Sequence, residues 1–321
     1  MNFTDFIESI RLQVSELLGD DFSIESRKVT KNNSVEYVCL VISEKGKSIS
    51  PGIYLNSFYL EYINGKPVID LARQIVDLYH EHKEFGKDGL YELINKENIL
   101  DKIFVRLVNY ERNKAFLEQA PFERVLDLAV TYHYLLSNGP EGMSSIKMDY
   151  TNCSFFEIDP EEMKKTAVDN TEKLFPAEFQ TLSEVLKDFP CAPDPSVHGL
   201  PSLCILSNKD RYNGAACVLY KNILERIQKT LQSGFYILPS SVNEVLIVPD
   251  ALGSDEEYLK QMVSNVNRNY VPEIEFLSDN IYHYPVFSNS FDVFAYFSTI
   301  ISHSFCKNKG AYLFLGKEGI Y

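Results

Sequence analysis

The sequence predicts an α+β fold, with mixed, largely antiparallel sheets flanked by helices and arranged as two lobes. Three observations carry this. Apolar runs of strand length are punctuated by Asn, Gly, Pro and Ser turn signals along most of the chain. Capping residues stand ahead of apolar residues at helical spacing. Between residues 202 and 268 the elements follow in the order β-β-α-β-β-α, which suits helices packed on an antiparallel sheet rather than a parallel βαβ alternation.

Residues 4–18 read as an amphipathic helix, with Phe6, Ile7, Ile10, Val14, Leu17 and Leu18 at helical spacing and Gly19 as its stop. Strand-like runs follow at 22–29, 35–42 and 51–55, with Lys31-Asn32-Asn33-Ser34 as the turn between the first two. Asn64-Gly65 is a further turn. Pro67 suits the first position of a helix that carries Val68, Leu71, Ala72, Ile75 and Tyr79 on one face. Residues 88–95 read as helix. The runs 102–108 and 123–136 fit strand or helix, since short apolar runs do not separate the two; strand is the reading for the core of each. A short strand is expected near 145–150, after the break at Asn138-Gly139-Pro140. Asp159-Pro160-Glu161-Glu162 starts a helix that ends before Pro176.

Four prolines fall within residues 189–201, which marks a loop between lobes. Beyond it, 202–207 and 214–220 read as strands. Asn222 with Glu225 opens a helix closed by Gly234, 235–238 and 243–248 form a hairpin around Pro239-Ser240-Ser241, and Ser254 with Glu257 caps a further helix. The expected organisation is an α+β lobe over 1–188, a second over 189–285, and an aromatic-rich tail over 286–321. Residues 286–306 have the length of a membrane span, but five serines, Asn289, Asp292, Thr299 and His303 make them a poor one. A docked or contact segment is the expectation there, and no transmembrane segment.

Composition narrows the function classes. The chain has 321 residues, enough to bury roughly three quarters of its unfolded surface without staples. Its 45 acidic and 31 basic side chains give a net charge of −14, which opposes direct nucleic-acid binding and favours solubility and attraction to basic protein surfaces. Six cysteines form no CxxC pair and have no histidine cluster at zinc-like spacing. Cys39, Cys204 and Cys217 sit in apolar runs and read as reduced core thiols. With no signal-peptide pattern at the N-terminus, a cytoplasmic location is expected. His80 and His82 lie two apart on a helix and point to different faces, so no metal site is expected from them. Neither a P-loop, a GxGxxG turn nor a GxSxG elbow is present, and no cofactor is expected.

Two polar runs stand out. Residues 207–216 join the two expected strands, and residues 238–244 turn the hairpin. If the two loops meet, Asn208, Arg211, Ser240, Ser241 and Glu244 gather into a candidate binding pocket. The same residue types are what turns require on structural grounds alone. Asn113 and Asn170 are candidates for locking loops through side-chain to backbone bonds.

The runs SNKDRYNGAACVLY at 207–220 and GFYILPSSVNEVLIVPD at 234–250 resemble the bacterial family catalogued as domain of unknown function 5688. So do ISPGIYLNSFYLEYINGK at 49–66, LVNYERNKAFLEQAP at 107–121 and DNTEKLFPAE at 169–178. The resemblance covers about residues 1–285. It implies a setting in gut bacteria and mobile elements and transfers no catalytic residue. Relatives often carry histidine where this chain has Asn243, and the segment after Tyr284 departs from the family.

The expected function is therefore a non-enzymatic intracellular binding or regulatory protein with a protein partner. The alternatives are an acidic inhibitor of a basic protein surface and an enzyme with an unfamiliar site at the 207–216 and 238–244 loops.

Overall fold

The computed structural model describes residues 1–46, 52–82, 99–139, 142–186, 203–239, 241–252 and 255–286. The expected helix at 88–95, the proline-rich loop at 189–201, Ser240, Ser254 and nearly all of the tail lie outside the described residues. The described chain is α+β, with three antiparallel sheets and packed helices.

The first unit joins α1 (Phe3–Leu18), β1 (Phe22–Thr30), β2 (Glu36–Glu44), β3 (Gly52–Tyr54), α2 (Asn56–Ile63) and α3 (Val68–His82). Asn2 caps α1 by accepting from the Asp5 amide at 2.9 Å. Gly19 ends it at φ 80°, a conformation that favours glycine. The three strands pair in sequence order, β1 with β2 from Phe22↔Glu44 to Thr30↔Glu36. Phe6, Ile10 and Val14 of α1 and Leu71, Ala72 and Ile75 of α3 bury against Ile24, Leu40 and Ile42 of the sheet. Helical spacing on one side and strand alternation on the other thus meet in one core.

The second sheet holds β4 (Ile103–Asn109), β5 (Phe122–Val125), β6 (Leu128–Gly139) and β7 (Gly142–Lys147). Strand β6 is central, with β4 on one side and β5 and β7 in succession on the other. Residues 123–136 therefore hold two strands, separated by a turn in which Leu126 takes a left-handed φ of 57°. Helix α4 (Lys114–Leu117) lies in the β4–β5 connection. Next come α5 (Tyr150–Phe156) and α6 (Pro160–Leu174), the latter capped by Asp159, whose carboxylate accepts from the Glu161 amide at 3.2 Å.

The third sheet has the order β12-β10-β11-β9-β8. Its strands are β8 (Ala177–Thr181), β9 (Cys204–Asn208), β10 (Phe235–Leu238), β11 (Val245–Pro249) and β12 (Tyr282–Tyr284), interleaved with α7 (Leu182–Leu186), α8 (Ile223–Leu231) and α9 (Glu256–Asn269). The expected hairpin is β10–β11, paired from Phe235↔Pro249 to Leu238↔Leu246.

Three readings are corrected. Residues 214–220 are not a strand: Gly214–Leu219 form a 3-10 helix entered through left-handed Asn213. Its buried run of Gly214, Ala215, Ala216 and Cys217 is small-residued because it is wedged against β9, which mimics the apolar signature of a strand. Helix α9 is capped by Asp255, which accepts from the Glu257 amide at 3.0 Å. Helix α8 ends at left-handed Gln232, two residues before Gly234.

Sheet pairing and core packing run across residue 189. Strand β8 precedes that position yet pairs with β9 from Ala177↔Asn208 to Thr181↔Cys204. One core joins Ile103, Val105, Tyr132, Tyr134 and Met163 to Leu206, Cys217, Ile227, Phe235 and Ile247. The first unit keeps a separate core.

An amide network bolts that first unit to the rest. The Asn33 amide N–H donates to Asn113 Oδ1 at 3.0 Å, and Asn113 Nδ2 donates back to Asn33 Oδ1 at 3.0 Å and to the Asn109 carbonyl at 2.8 Å. Asn33 Nδ2 reaches the carbonyls of Glu273 and Phe276, and Asn109 Nδ2 that of Leu277. Asn33 holds a left-handed φ of 58°, which asparagine tolerates. The expected locking role of Asn113 is present, as is that of Asn170, whose Nδ2 donates to the Leu100 carbonyl at 2.6 Å. Among the described residues no helix is long and apolar enough to cross a membrane.

Candidate functional site

The two polar loops picked out by sequence do meet. The Ser207 hydroxyl donates to the Asn243 carbonyl at 2.7 Å, the Asn213 amide to Asn243 Oδ1 at 3.1 Å, and the Ala215 amide to the Val242 carbonyl at 3.1 Å. The contacts are largely those of a folded turn. Buried Asn208 closes the loop on itself: its Nδ2 donates to the Tyr212 carbonyl at 2.9 Å and its Oδ1 accepts from the Tyr212 amide at 3.2 Å. Arg211, at φ 50°, donates to Gln180 Oε1 at 3.1 Å. Ser241 Oγ accepts from the Asn243 amide at 3.1 Å. Glu244 is half-buried. Burial raises its pKa above the usual carboxylate value, and the nearby Arg211 charge offsets part of that rise. Ser240 lies outside the described residues. Asn243 serves here as the pin between the loops.

The more demanding chemistry lies next to this loop, on the second face of the β4-β6-β7 sheet. Strand alternation puts Val105, Tyr132 and Tyr134 into the main core and turns Phe104, Arg106, Thr131, His133, Ser145 and Lys147 the other way. Phe104 pairs with His133, and His133 with Lys147, so these three form one row across three strands. Arg106 reaches diagonally over that row, and its Nη2 donates to Ser145 Oγ at 2.8 Å. Its guanidinium carbon lies 5.4 Å from the ring centroids of both Phe104 and Tyr212, within cation–π range of each. Tyr212, 43% exposed, brings the polar loop to the site. Lys147 Nζ lies 4.8 Å from the Phe116 centroid on α4. Lys31, in the turn after β1, adds charge to the same region, with its Nζ bonded to the Tyr54 hydroxyl.

Among the described residues, the influences on Arg106, His133 and Lys147 are burial, one another, Lys31 and Tyr212, and no carboxylate is among them. Burial lowers the Arg106 pKa below its ordinary value, with Tyr212 acting against the shift. Burial, then the charges of Arg106 and Lys147, drives His133 well below the usual histidine range, so its imidazole is neutral. Burial, then Arg106 and Lys31, brings Lys147 down to about 8. Two buried nitrogens, Arg106 Nε and His133 Nδ1, have no hydrogen-bond partner among the described residues. On the floor, His133 Nε2 and Thr131 Oγ1 are 3.1 Å apart.

A chain of net charge −14 has carboxylates to spare, yet among the described residues none acts on this cluster. Charges withdrawn from water without a counter-ion are costly, and an anion supplied from outside removes that cost. Sequence reasoning passed over these residues because no spacing rule joins them: positions 106, 133 and 147 become neighbours only through strand register. The available signal was a lone arginine in KIFVRLV and a lone histidine in VTYHYLL, each interrupting an apolar strand.

Two other polar clusters are internally saturated. Asp127 accepts from Ser278 Oγ at 2.6 Å, Asn280 Nδ2 at 3.0 Å and the Tyr282 hydroxyl at 2.6 Å, tying the β5–β6 turn to the last strand. Asp250 engages His283 Nε2 at 3.0 Å.

No curated protein and no solved structure matches the chain. Residues 3–285 match the model of a family of unknown function, DUF5688, ending one residue beyond the buried Tyr284 that completes the third sheet. With that match running from the first helix to the last described strand, the chain belongs to the DUF5688 family.

Proposed function

We propose that the protein is a non-enzymatic, cytoplasmic binding or regulatory protein whose ligand is a small anion seated at Arg106 and Lys147. The observation that carries this reading is that, among the described residues, no carboxylate acts on these two cations. The strong overall negative charge favours a small anion over a nucleic-acid strand, whose many phosphates the rest of the surface repels. Buried free thiols at Cys39, Cys153 and Cys217 support a reducing compartment. The loops at 207–216 and 241–244 support binding rather than catalysis, because Asn208, Asn243 and Ser241 spend their side chains on the backbone of Tyr212, Asn213 and Asn243 respectively.

A cation kept for a ligand weakens the empty fold, whereas a cation kept for structure strengthens it. The Lys147→Met variant is therefore expected to be more stable than the parent at pH 7 by about 1–3 kcal/mol. The urea midpoint, followed by circular dichroism, measures this. A loss of stability of similar size would mark Lys147 as a structural group and remove the reading.

A further inference from the structure

Resting on the anion-binding reading, the geometry points to a narrower ligand class: we propose that the anion is a phosphoryl group, inorganic or in a small phosphomonoester, held between the Arg106 guanidinium and the Lys147 ammonium with the Ser145 hydroxyl as a third donor. Charge comes first. With His133 neutral, the two nearest cations offer two positive charges, which match a dianion and leave a monoanion with one charge unpaired. Donor placement comes second. Arg106 is on β4 and Ser145 and Lys147 are on β7, with β6 between them, so donors on one face of the sheet approach the ligand from the two strands that flank β6. A carboxylate offers two oxygens in one plane, whereas a phosphoryl group offers three, arranged in space. Ser145 Oγ already accepts from Arg106, so its own hydrogen is directed elsewhere. Third, the guanidinium lies within cation–π range of the Phe104 and Tyr212 rings and bonds Ser145, which orients a fork of the kind that suits phosphate. Arg106, Ser145 and Lys147 are all partly exposed, so the site opens to solvent, while Thr131 and His133 form its buried floor.

The test is calorimetric titration of the full chain with sodium phosphate, glycerol phosphate and sodium acetate at matched ionic strength. Phosphate or glycerol phosphate is expected to bind at least about tenfold more tightly than acetate, and whichever is tighter identifies the source of the group. Arg106→Lys keeps the charge but loses the fork, and is expected to weaken phosphate binding by about tenfold. Ser145→Ala, a milder change that leaves the cations in place, is expected to weaken it by a few-fold and serves if the arginine variant does not fold. Equal binding of acetate and phosphate would overturn the phosphoryl assignment while leaving anion binding intact. Binding of none of the three would overturn both, and unchanged phosphate affinity in both variants would place the phosphate elsewhere and overturn the proposal.

Discussion

Replacing Asn113 by alanine is expected to remove about 3–5 kcal/mol of folding stability. The side chain is buried and makes three hydrogen bonds, two of them with Asn33 and one to the Asn109 carbonyl. Truncation strands the Asn33 amide N–H and Oδ1 and the Asn109 carbonyl without giving them water, and each stranded group costs about 1–3 kcal/mol. The loss falls on the joint between two cores, since Asn33 belongs to the β1–β2 turn and Asn113 to the main body. Asn170→Ala is the comparison, because Asn170 makes a single bond to the Leu100 carbonyl, and a loss nearer 1 kcal/mol is expected there. Urea denaturation of both variants measures the difference. A loss below about 1 kcal/mol for Asn113→Ala would mean that the network is dispensable.

Gly214→Ala is expected to cost about 3 kcal/mol or more and to reduce the yield of soluble protein sharply. The reason is space rather than conformation. A Cβ at this position would sit 2.1 Å from Ser207 Oγ, 2.5 Å from the Asn243 carbonyl oxygen and 2.8 Å from the Asn208 amide nitrogen. Two of these are backbone atoms of the packed β9 edge and the β10–β11 turn, which no rotamer change moves. Ser207 is itself bonded to Asn243. Gly234→Ala is a graded control: its worst clash, 2.3 Å, is with the Asp250 carboxylate, a side chain, while the Tyr284 carbonyl stands at 2.9 Å. Thermal unfolding of the two variants should rank Gly214 as the more severe. Near-parental stability of Gly214→Ala would mean that the two loops do not press together as described.

The contrast between those glycines shows what sequence conveys about this fold. Caps, turn residues and apolar spacing are local, so α1, the β1–β2 turn, Pro67, Asp159 and the β10–β11 hairpin are legible without a structure. Gly214 belongs to no turn motif. Its small size answers to β9, and the run behind it, GAACVL, is apolar because it is buried, whichever backbone it adopts. Strand β6 escaped periodicity for a related reason: both of its faces are covered, so alternation vanishes from LAVTYHY. Strand β12, three residues long, is defined only by its partner β10. The candidate site was legible in one part. The 207–213 loop supplies Tyr212, but Arg106, His133 and Lys147 are brought together by register, which no local pattern records.

The cation cluster also ties ligand binding to protons. The Lys147 pKa of about 8 lies below that of a lysine in the unfolded chain, so between those values the unfolded state holds more proton and stability rises with pH. Below about pH 8 the charged lysine weakens the empty fold, facing Arg106 on β4, His133 on β6 and Lys31 beyond β1. A bound dianion reverses the sign of that environment and pulls the proton back. Sulfate, a tetrahedral dianion that does not titrate near pH 8, isolates the effect. The decisive measurement is calorimetric binding of sulfate at pH 8 in two buffers of different ionisation enthalpy. Uptake of about half a proton per anion bound is predicted for the parent, and none for Lys147→Met. Sulfate binding with no net proton uptake in the parent, or no binding at all, would contradict the assignment of Arg106 and Lys147 as the anion site.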